Sequence, residues 1–178
     1  GDSWWTEFVR PGNSDEEDRL YMIEPYQPGK IPVVFVHGLL SDPLTWANMA
    51  NDLRSTPEIV DRYQFWDFRY TTGDPFLTSA AELREQLVSI RKIYDPCGQD
   101  SAFSQMVLVG HSMGGIIAKL QATVSGNELW RAIAKEPFDT VITDQATRQD
   151  LKQAFFFSPS VDVASLIFIG TPHCGSDL

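Results

Sequence analysis

The stretch VLVGHSMGGIIAKL, residues 107–120, decides the fold of this chain. Its apolar β-forming residues end at Gly110, and Ser112 precedes an apolar segment with helical spacing that begins at Met113. A buried strand that turns directly into a helix is typical of α/β proteins. Such a turn lifts a serine hydroxyl above the edge of a parallel sheet, at the positive end of the helix. The sequence therefore predicts a strand–turn–helix unit with Ser112 at its apex.

The residues around Ser112 fit the pattern G-x-S-x-G of a nucleophile elbow. A sharp turn leaves no room for side chains two residues before and after the serine, and Gly110 and Gly114 occupy those places. The alternative is a tight turn in which the serine is incidental. We interpret Ser112 as a nucleophile because the pattern follows a buried strand and opens a helix. His111 lies inside the pattern, and we expect it to be a buried, hydrogen-bonded histidine that points away from Ser112.

Outward from this unit, apolar strands and amphipathic helices alternate along the chain. The strands are predicted at 30–38, 63–70, 105–110 and 165–170, with a short one within 19–26. The helices are predicted at 44–53, 76–94, 113–124 and 146–156, the first of them starting after Ser41, Asp42 and Pro43. This order predicts an α/β fold with a mostly parallel sheet, right-handed crossovers and helices on both faces.

The chain divides into an N-terminal arm, 1–29, and one α/β core, 30–178. Within the core, residues 126–163 form a long connection and are a candidate lid or cap. The run Phe155-Phe156-Phe157 in this segment could line an acyl pocket, although we prefer a helix end packed on the core. Trp66, Phe68 and Tyr70 alternate along a strand and are expected in the core or a pocket wall.

Composition excludes several classes of function. The 178 residues carry a formal net charge of −10, which argues against nucleic acid and anionic lipid surfaces but not against neutral or apolar substrates. No apolar run reaches the length of a membrane span. No phosphate-binding loop, dinucleotide fingerprint or metal cluster appears, so we predict no cofactor and no metal. Cys97 and Cys174 lack the spacing of a metal site, and Cys174 is expected to be a small buried residue.

A serine that attacks a carbonyl needs hydrogen-bond donors for the oxyanion that develops. In this architecture one donor is the backbone N–H after the nucleophile, here Met113. The other comes from the loop after an earlier strand, and we predict the N–H of Leu39, because Gly38 allows an unusual turn there. His37, which ends that strand, is predicted to hydrogen-bond the loop backbone rather than to transfer protons.

Three segments resemble the α/β-hydrolase serine esterases and lipases. Residues 32–46 (PVVFVHGLLSDPLTW) are similar to their oxyanion loop, and 108–118 (LVGHSMGGIIA) to their nucleophile elbow. Residues 167–178 (IFIGTPHCGSDL) resemble the TPHxGS strand end of bacterial lipase-like hydrolases related to the GPI inositol-deacylases. The resemblance implies an apolar acyl or lipid ester as substrate. It also suggests a bacterial source and an exported or cell-envelope location.

The base and the acid that would activate Ser112 have two candidate sources. In this fold the order along the chain is serine, then acid, then histidine, and His173 is the one histidine after Ser112. It could be the base, with an acid among Asp139, Asp144, Asp150 and Asp162. The preferred reading, implied by the resemblance, makes His173 structural and places the acid and base in sequence beyond Leu178. Asp177 is a further acid candidate, with a polar helix start or a surface position as its simpler role.

We hypothesise that the chain is the N-terminal part of a longer hydrolase, with the last strands of the sheet beyond Leu178. The predicted function is hydrolysis of carboxylic esters through an acyl-enzyme on Ser112. The alternative is a non-catalytic or incomplete hydrolase-like module that binds or assembles. Dehalogenase or epoxide chemistry on the same fold is disfavoured, because those enzymes place an aspartate where this chain has Ser112.

Overall fold

A five-stranded, mostly parallel sheet forms the centre of the computed structural model, which describes residues 19–39 and 46–175. The spatial order is β1-β3-β2-β4-β5, with parallel pairing from β3 through β5 and antiparallel pairing of β1 with β3. The strands are β1 (Arg19–Met22), β2 (Ile31–Val36), β3 (Tyr63–Arg69), β4 (Met106–His111) and β5 (Val163–Ile169). The predicted α/β class and mostly parallel sheet are confirmed.

Six α-helices accompany the strands within the described ranges. They are α1 (Ala47–Arg54), α2 (Pro57–Arg62), α3 (Phe76–Tyr94), α4 (Met113–Leu120), α5 (Glu128–Ile133) and α6 (Gln145–Phe155). The apolar periodicity of 76–94 predicted α3 with its observed bounds. The short helix α2 was not predicted. The expected helix start at Ser41 to Pro43 lies outside the described residues, as do the arm up to residue 18 and residues 176–178.

Helix α4 ends four residues earlier than the apolar pattern predicted. The N–H groups of Gln121 and Ala122 donate to the carbonyls of Ala118 and Lys119, three residues back. Bonds of this type tighten the last turn and stop an α-helix. At the start of α6, Asp144 accepts a hydrogen bond of 2.9 Å from the Thr147 N–H and so caps the helix. A hydrogen bond from the Thr147 hydroxyl at 2.6 Å, together with the one from the Thr147 N–H, lowers the pKa of the Asp144 carboxyl.

Apolar side chains alternate along the strands and build a separate cluster on each face of the sheet. Trp66 and Phe68 of β3 are fully buried in the larger cluster, with α3, α4 and α6. Phe65, the residue before Trp66, belongs to the smaller cluster with Trp46 next to α1. Tyr70 is also buried in the larger cluster, so the prediction that these alternating aromatic residues lie in the core is confirmed.

The connection 126–163 contributes to the larger cluster. Trp130 of α5 is 3% exposed, and Leu151 and Phe155 of α6 are 1% and 0% exposed. Trp130 meets the rings of Phe138 and Phe155 edge-on, at 5.1 and 5.4 Å between centroids. The preferred packing of the phenylalanine run on the core is confirmed for Phe155. A lid or cap role for the rest of the segment stays a prediction.

Across residues 19–39 and 46–175, no helix combines the length and the apolarity needed to cross a bilayer.

Candidate active site

Ser112 lies at the junction of β4 and α4 in a strained backbone conformation. Its φ is 52° and its ψ is −123°, and it is the one non-glycine residue with positive φ in the described ranges. A side chain held in such a region costs roughly 1–3 kcal/mol and persists only where the surroundings enforce it. The Ser112 N–H donates to the Ile169 carbonyl at 2.9 Å, which ties the turn to the end of β5.

Three glycines allow the close packing that surrounds this turn. A Cβ at Gly110 would collide with the backbone of Gly114 and Gly115, and one at Gly114 with the carbonyls of Val36 and His37. A Cβ at Gly115 would collide with the Thr171 side chain. The backbones of β2, β4 and α4 therefore approach one another more closely than any side chain would permit.

The two predicted oxyanion donors belong to segments that meet at Ser112. Met113 is the first residue of α4, where a backbone N–H has no partner within the helix. Leu39 follows β2 and is 48% exposed. The preceding residue lies directly against the serine, because a Cβ built on Gly38 would come within 2.9 Å of the Ser112 Cβ. This arrangement places the 38–39 peptide and the start of α4 beside the serine side chain.

His37 is 3% exposed and has partners on both ring nitrogens. Its Nδ1 lies 3.1 Å from the Gly38 carbonyl oxygen, and the Tyr70 N–H approaches Nε2 at 3.5 Å. The Tyr70 ring stacks on the imidazole at 4.3 Å and 12°, and its hydroxyl donates to the His37 carbonyl at 2.7 Å. The ring contacts the loop backbone, as the sequence predicted. Tyr70 was expected only as a core or wall residue, and its contact with His37 was missed.

A buried carboxylate lies in β3, beside the strand that leads into this loop. Asp67 of β3 is 6% exposed, and burial raises the pKa of its carboxyl, while Arg69 opposes that shift through a hydrogen bond of 3.1 Å. The other carboxylate oxygen, Oδ1, is buried without a hydrogen-bond partner. Asp67 was not among the predicted site residues. An acidic residue inside the otherwise apolar run YQFWDFRY was the signal that could have found it.

His111 differs from its predicted role. The residue is half-buried, and its Nδ1 is buried without a hydrogen-bond partner. Its ring meets Trp46 edge-on at 6.4 Å between centroids. The expectation of a buried, hydrogen-bonded histidine is therefore wrong for Nδ1, which faces Gly38, a residue with no side chain to pair with it.

His173 lies in the turn after β5 and is exposed. Its ring packs edge-on against Phe168 at 4.6 Å, and its N–H donates to the Thr171 carbonyl at 3.0 Å. In the described part of the chain, no hydrogen bond joins the His173 ring to Ser112. Cys174 is exposed, so the prediction of a buried cysteine is wrong, since the turn carries it beyond the packed end of β5.

The aspartates that were predicted as possible catalytic acids do not lie together near Ser112. Asp162 lies just before β5 and pairs with Arg91, at the amino edge of the sheet. Because Ser112 follows the opposite end of the six-residue strand β4, the two residues lie roughly 15–20 Å apart. This separation removes Asp162 as a partner of a histidine at Ser112. Asp139, Asp144 and Asp150 are exposed on the connection, and Asp177 lies outside the described residues.

Among the residues that the structure describes, no cluster of three or more histidine, cysteine or acidic side chains has the geometry to hold a metal ion.

Comparisons with known proteins agree with this architecture. Residues 27–147 match the family described as the PGAP1-like alpha/beta domain. The propionate-bound thermophilic esterase Est2 of Thermogutta terrifontis is 15% identical, with a TM-score of 0.51 over 90% of this chain and 53% of that one. The same esterase phosphoramylated by tabun has a TM-score of 0.50, at 15% identity over 85% and 50% of the two chains.

The mature lipase BlEst2 of Bacillus licheniformis is 22% identical over 89% of this chain and 49% of that chain, with a TM-score of 0.48. No curated protein sequence matches the chain. The chain spans about half the length of these three solved structures. The predicted resemblance to α/β-hydrolase esterases and lipases is confirmed for the fold.

Proposed function

This chain belongs to the family of PGAP1-like alpha/beta domains, and we propose that it cleaves carboxylic esters through Ser112. The observation that carries the proposal is the conformation of this serine, with φ at 52° between glycines that tolerate no side chain. A turn that only joined a strand to a helix would not need a residue in a strained region. A nucleophile that must stand clear of the sheet does need one.

The proposed reaction has two steps. The Ser112 oxygen attacks the ester carbonyl carbon and passes its proton to a base, and the C–O bond to the alcohol breaks as the alcohol takes that proton. Water then attacks the acyl-enzyme, and the base takes a proton from the water and returns it to Ser112 as the acid leaves. The N–H groups of Leu39 and Met113 hold the oxyanion in both steps. Each donor is worth about 3 kcal/mol in the transition state.

For the base we propose a histidine in sequence beyond Leu178, with His173 as the alternative. The exposed His173 ring packs against Phe168 and has no hydrogen bond to Ser112, which favours a place at the rim of the site. The catalytic acid is proposed beyond Leu178 on the same reasoning, because Asp162 lies at the far edge of the sheet.

We propose an apolar acyl ester, including a lipid ester, as the substrate class. Two large apolar side chains lie near the reacting centre and are open to solvent. Leu39 is 48% exposed beside the proposed donor peptide, and Phe168, whose register partner is Gly110, is 38% exposed. Apolar walls with few polar groups are typical of sites that bind apolar ligands.

The test is labelling with a fluorophosphonate probe, applied both to the 178-residue chain and to the natural full-length protein. We expect the full-length protein to be labelled and Ser112→Ala to abolish labelling, while the exposed Ser101→Ala is labelled like the parent. Hydrolysis of p-nitrophenyl esters of increasing acyl length then reports the substrate class.

Three outcomes have different meanings. Labelling that survives Ser112→Ala would overturn the proposal. A folded full-length protein that is neither labelled nor active would favour the non-catalytic module. If the 178-residue chain is labelled and His173→Ala stops it, His173 is the base and the proposal of a later histidine is wrong.

A further inference from the structure

We infer that His37 is a positioning residue that sets the direction of the Leu39 N–H, and so prepares one half of the oxyanion site before substrate binds. The inference rests on the proposed function, because it assigns a role within the same reaction. It goes beyond a general contact with the loop backbone, since it names the one peptide unit that the ring orients.

The hydrogen bonds of His37 define which nitrogen carries the proton. The Gly38 carbonyl oxygen can only accept, so the Nδ1 atom 3.1 Å away must be the donor. The backbone N–H of Tyr70 can only donate, so Nε2, at 3.5 Å, presents its lone pair. Both contacts agree with a single tautomer, Nδ1–H. The ring therefore draws the Gly38 carbonyl oxygen towards the protein interior.

The orientation of that carbonyl determines the orientation of the next N–H. The Gly38 C=O and the Leu39 N–H belong to one planar peptide unit, and in a trans peptide they point in opposite directions. The described chain contains no cis peptide bond. Because the carbonyl points inward to His37, the Leu39 N–H points away from the buried ring. Gly38 itself lies against Ser112, so the peptide unit that carries this N–H lies beside the nucleophile.

The ring that holds the carbonyl is itself fixed. His37 is 3% exposed, lies flat on the Tyr70 ring, and has its own carbonyl held by the Tyr70 hydroxyl at 2.7 Å. A donor whose support is immobile needs no reorganisation when the oxyanion forms, and this is the condition under which such donors lower a barrier most. If the Gly38–Leu39 peptide were free to rotate, the Leu39 N–H would still be present but would no longer point at the oxyanion.

The test compares two substitutions at His37 in the full-length protein. His37→Asn keeps a side-chain N–H near the Nδ1 position, whereas His37→Phe keeps a flat ring on Tyr70 but has no donor. We expect His37→Phe to lower kcat roughly a hundredfold with KM unchanged, and His37→Asn to recover most of the loss. Leu87→Ala, a core change in α3 remote from the site, controls for destabilisation and should leave kcat per folded molecule unchanged.

A measurement independent of activity separates this inference from the proposed function. Long-range ¹H–¹⁵N correlation of the histidine ring should show the Nδ1–H tautomer, and the Leu39 amide signal should shift in His37→Phe more than in His37→Asn. An Nε2–H tautomer, or an unmoved Leu39 signal, would overturn the inference even in an active enzyme. Equal kcat losses in both variants would do the same. If Ser112 proves unreactive, the proposed function fails, and the ring and amide signals still decide what His37 holds.

Discussion

At the scale of single residues, the conformation of Ser112 depends on three nearby glycines, whose lack of side chains allows close packing around the turn. Backbone atoms fill the space that a Cβ would occupy at Gly110 and Gly114, and a side chain fills it at Gly115. The carbonyls of Val36 and His37 press against Gly114 from β2, and the Thr171 side chain presses against Gly115 from the end of β5. Close backbone packing and the Thr171 side chain therefore enforce the strained conformation of Ser112, and this packing offsets the local cost.

Gly114→Ala should push β2 away from α4. The added methyl group has no space beside the Val36 and His37 carbonyls, and overpacking of this kind costs about 1–3 kcal/mol. We expect a lower midpoint in urea denaturation and loss of fluorophosphonate labelling in the protein that remains folded. Gly73→Ala is the matched control, because a Cβ there meets nothing within 4 Å. A Gly114→Ala protein as stable and as reactive as the control would contradict this account of the turn.

At the scale of elements, α6 behaves as part of the core. Arg84 of α3 donates to the Ala80 and Gln153 carbonyls, and its guanidinium lies 4.0 Å from the centre of the Phe157 ring. Burial lowers the pKa of Arg84 to about 10, so the side chain is still protonated at neutral pH. The Gln153 carbonyl thus joins α6 to α3, and Phe157, two residues beyond the end of α6, adds a cation–aromatic pair with Arg84.

Leu151→Ala tests whether α6 unfolds together with the sheet. Leu151 is 1% exposed, and removing a buried leucine side chain costs about 2–5 kcal/mol. We expect one cooperative urea transition, shifted to a lower midpoint, whereas the exposed Gln149→Ala should leave the midpoint in place. A separate early transition in the parent protein, with the main one unaffected by Leu151→Ala, would show instead that the segment opens as an independent cap.

At the scale of the whole molecule, the two edges of the sheet differ in chemistry. The carboxyl edge carries the strained Ser112 and the half-exposed apolar side chains of Leu39 and Phe168. At the amino edge, Arg91 of α3 pairs with Asp95 at 3.3 Å and with Asp162 at 2.5 Å, and Ser104 also donates to Asp162. These contacts join the end of α3 to the start of β5, a full strand length from the proposed chemistry.

Asp162→Asn should therefore reduce stability without changing the reactivity of Ser112. Losing a charged partner of a largely buried arginine costs about 1.5–3 kcal/mol, and Asp95 retains part of the pairing. The expected result is a lower thermal midpoint with an unchanged labelling rate, measured well below the melting range. Asp150→Asn, at an exposed position on α6, should change neither. A slower labelling rate in Asp162→Asn would restore this residue as a functional acid.

The sequence predicted the parts of the structure that repeat or that need a special residue. Apolar periodicity predicted α3 and four of the strands, and the paired glycines predicted the place of Ser112. It did not predict the contact between His37 and Tyr70, because that contact arises only when β2 and β3 become neighbours. Two further features also depend on tertiary contacts between segments distant in sequence. These are the exposure of Cys174 and the lack of a partner for His111 Nδ1.

The position of β5 has a practical consequence for handling the chain. Within the described residues it pairs with β4 alone, and Ile167 and Phe168 are 49% and 38% exposed. A strand of sequence VASLIFI with one free edge offers unpaired N–H and C=O groups and an apolar surface to any similar strand. Concentrated solutions of this 178-residue chain should therefore form intermolecular β-structure slowly on storage. A capping peptide or a charged substitution at Ile167 would delay that process and lengthen the useful life of a sample.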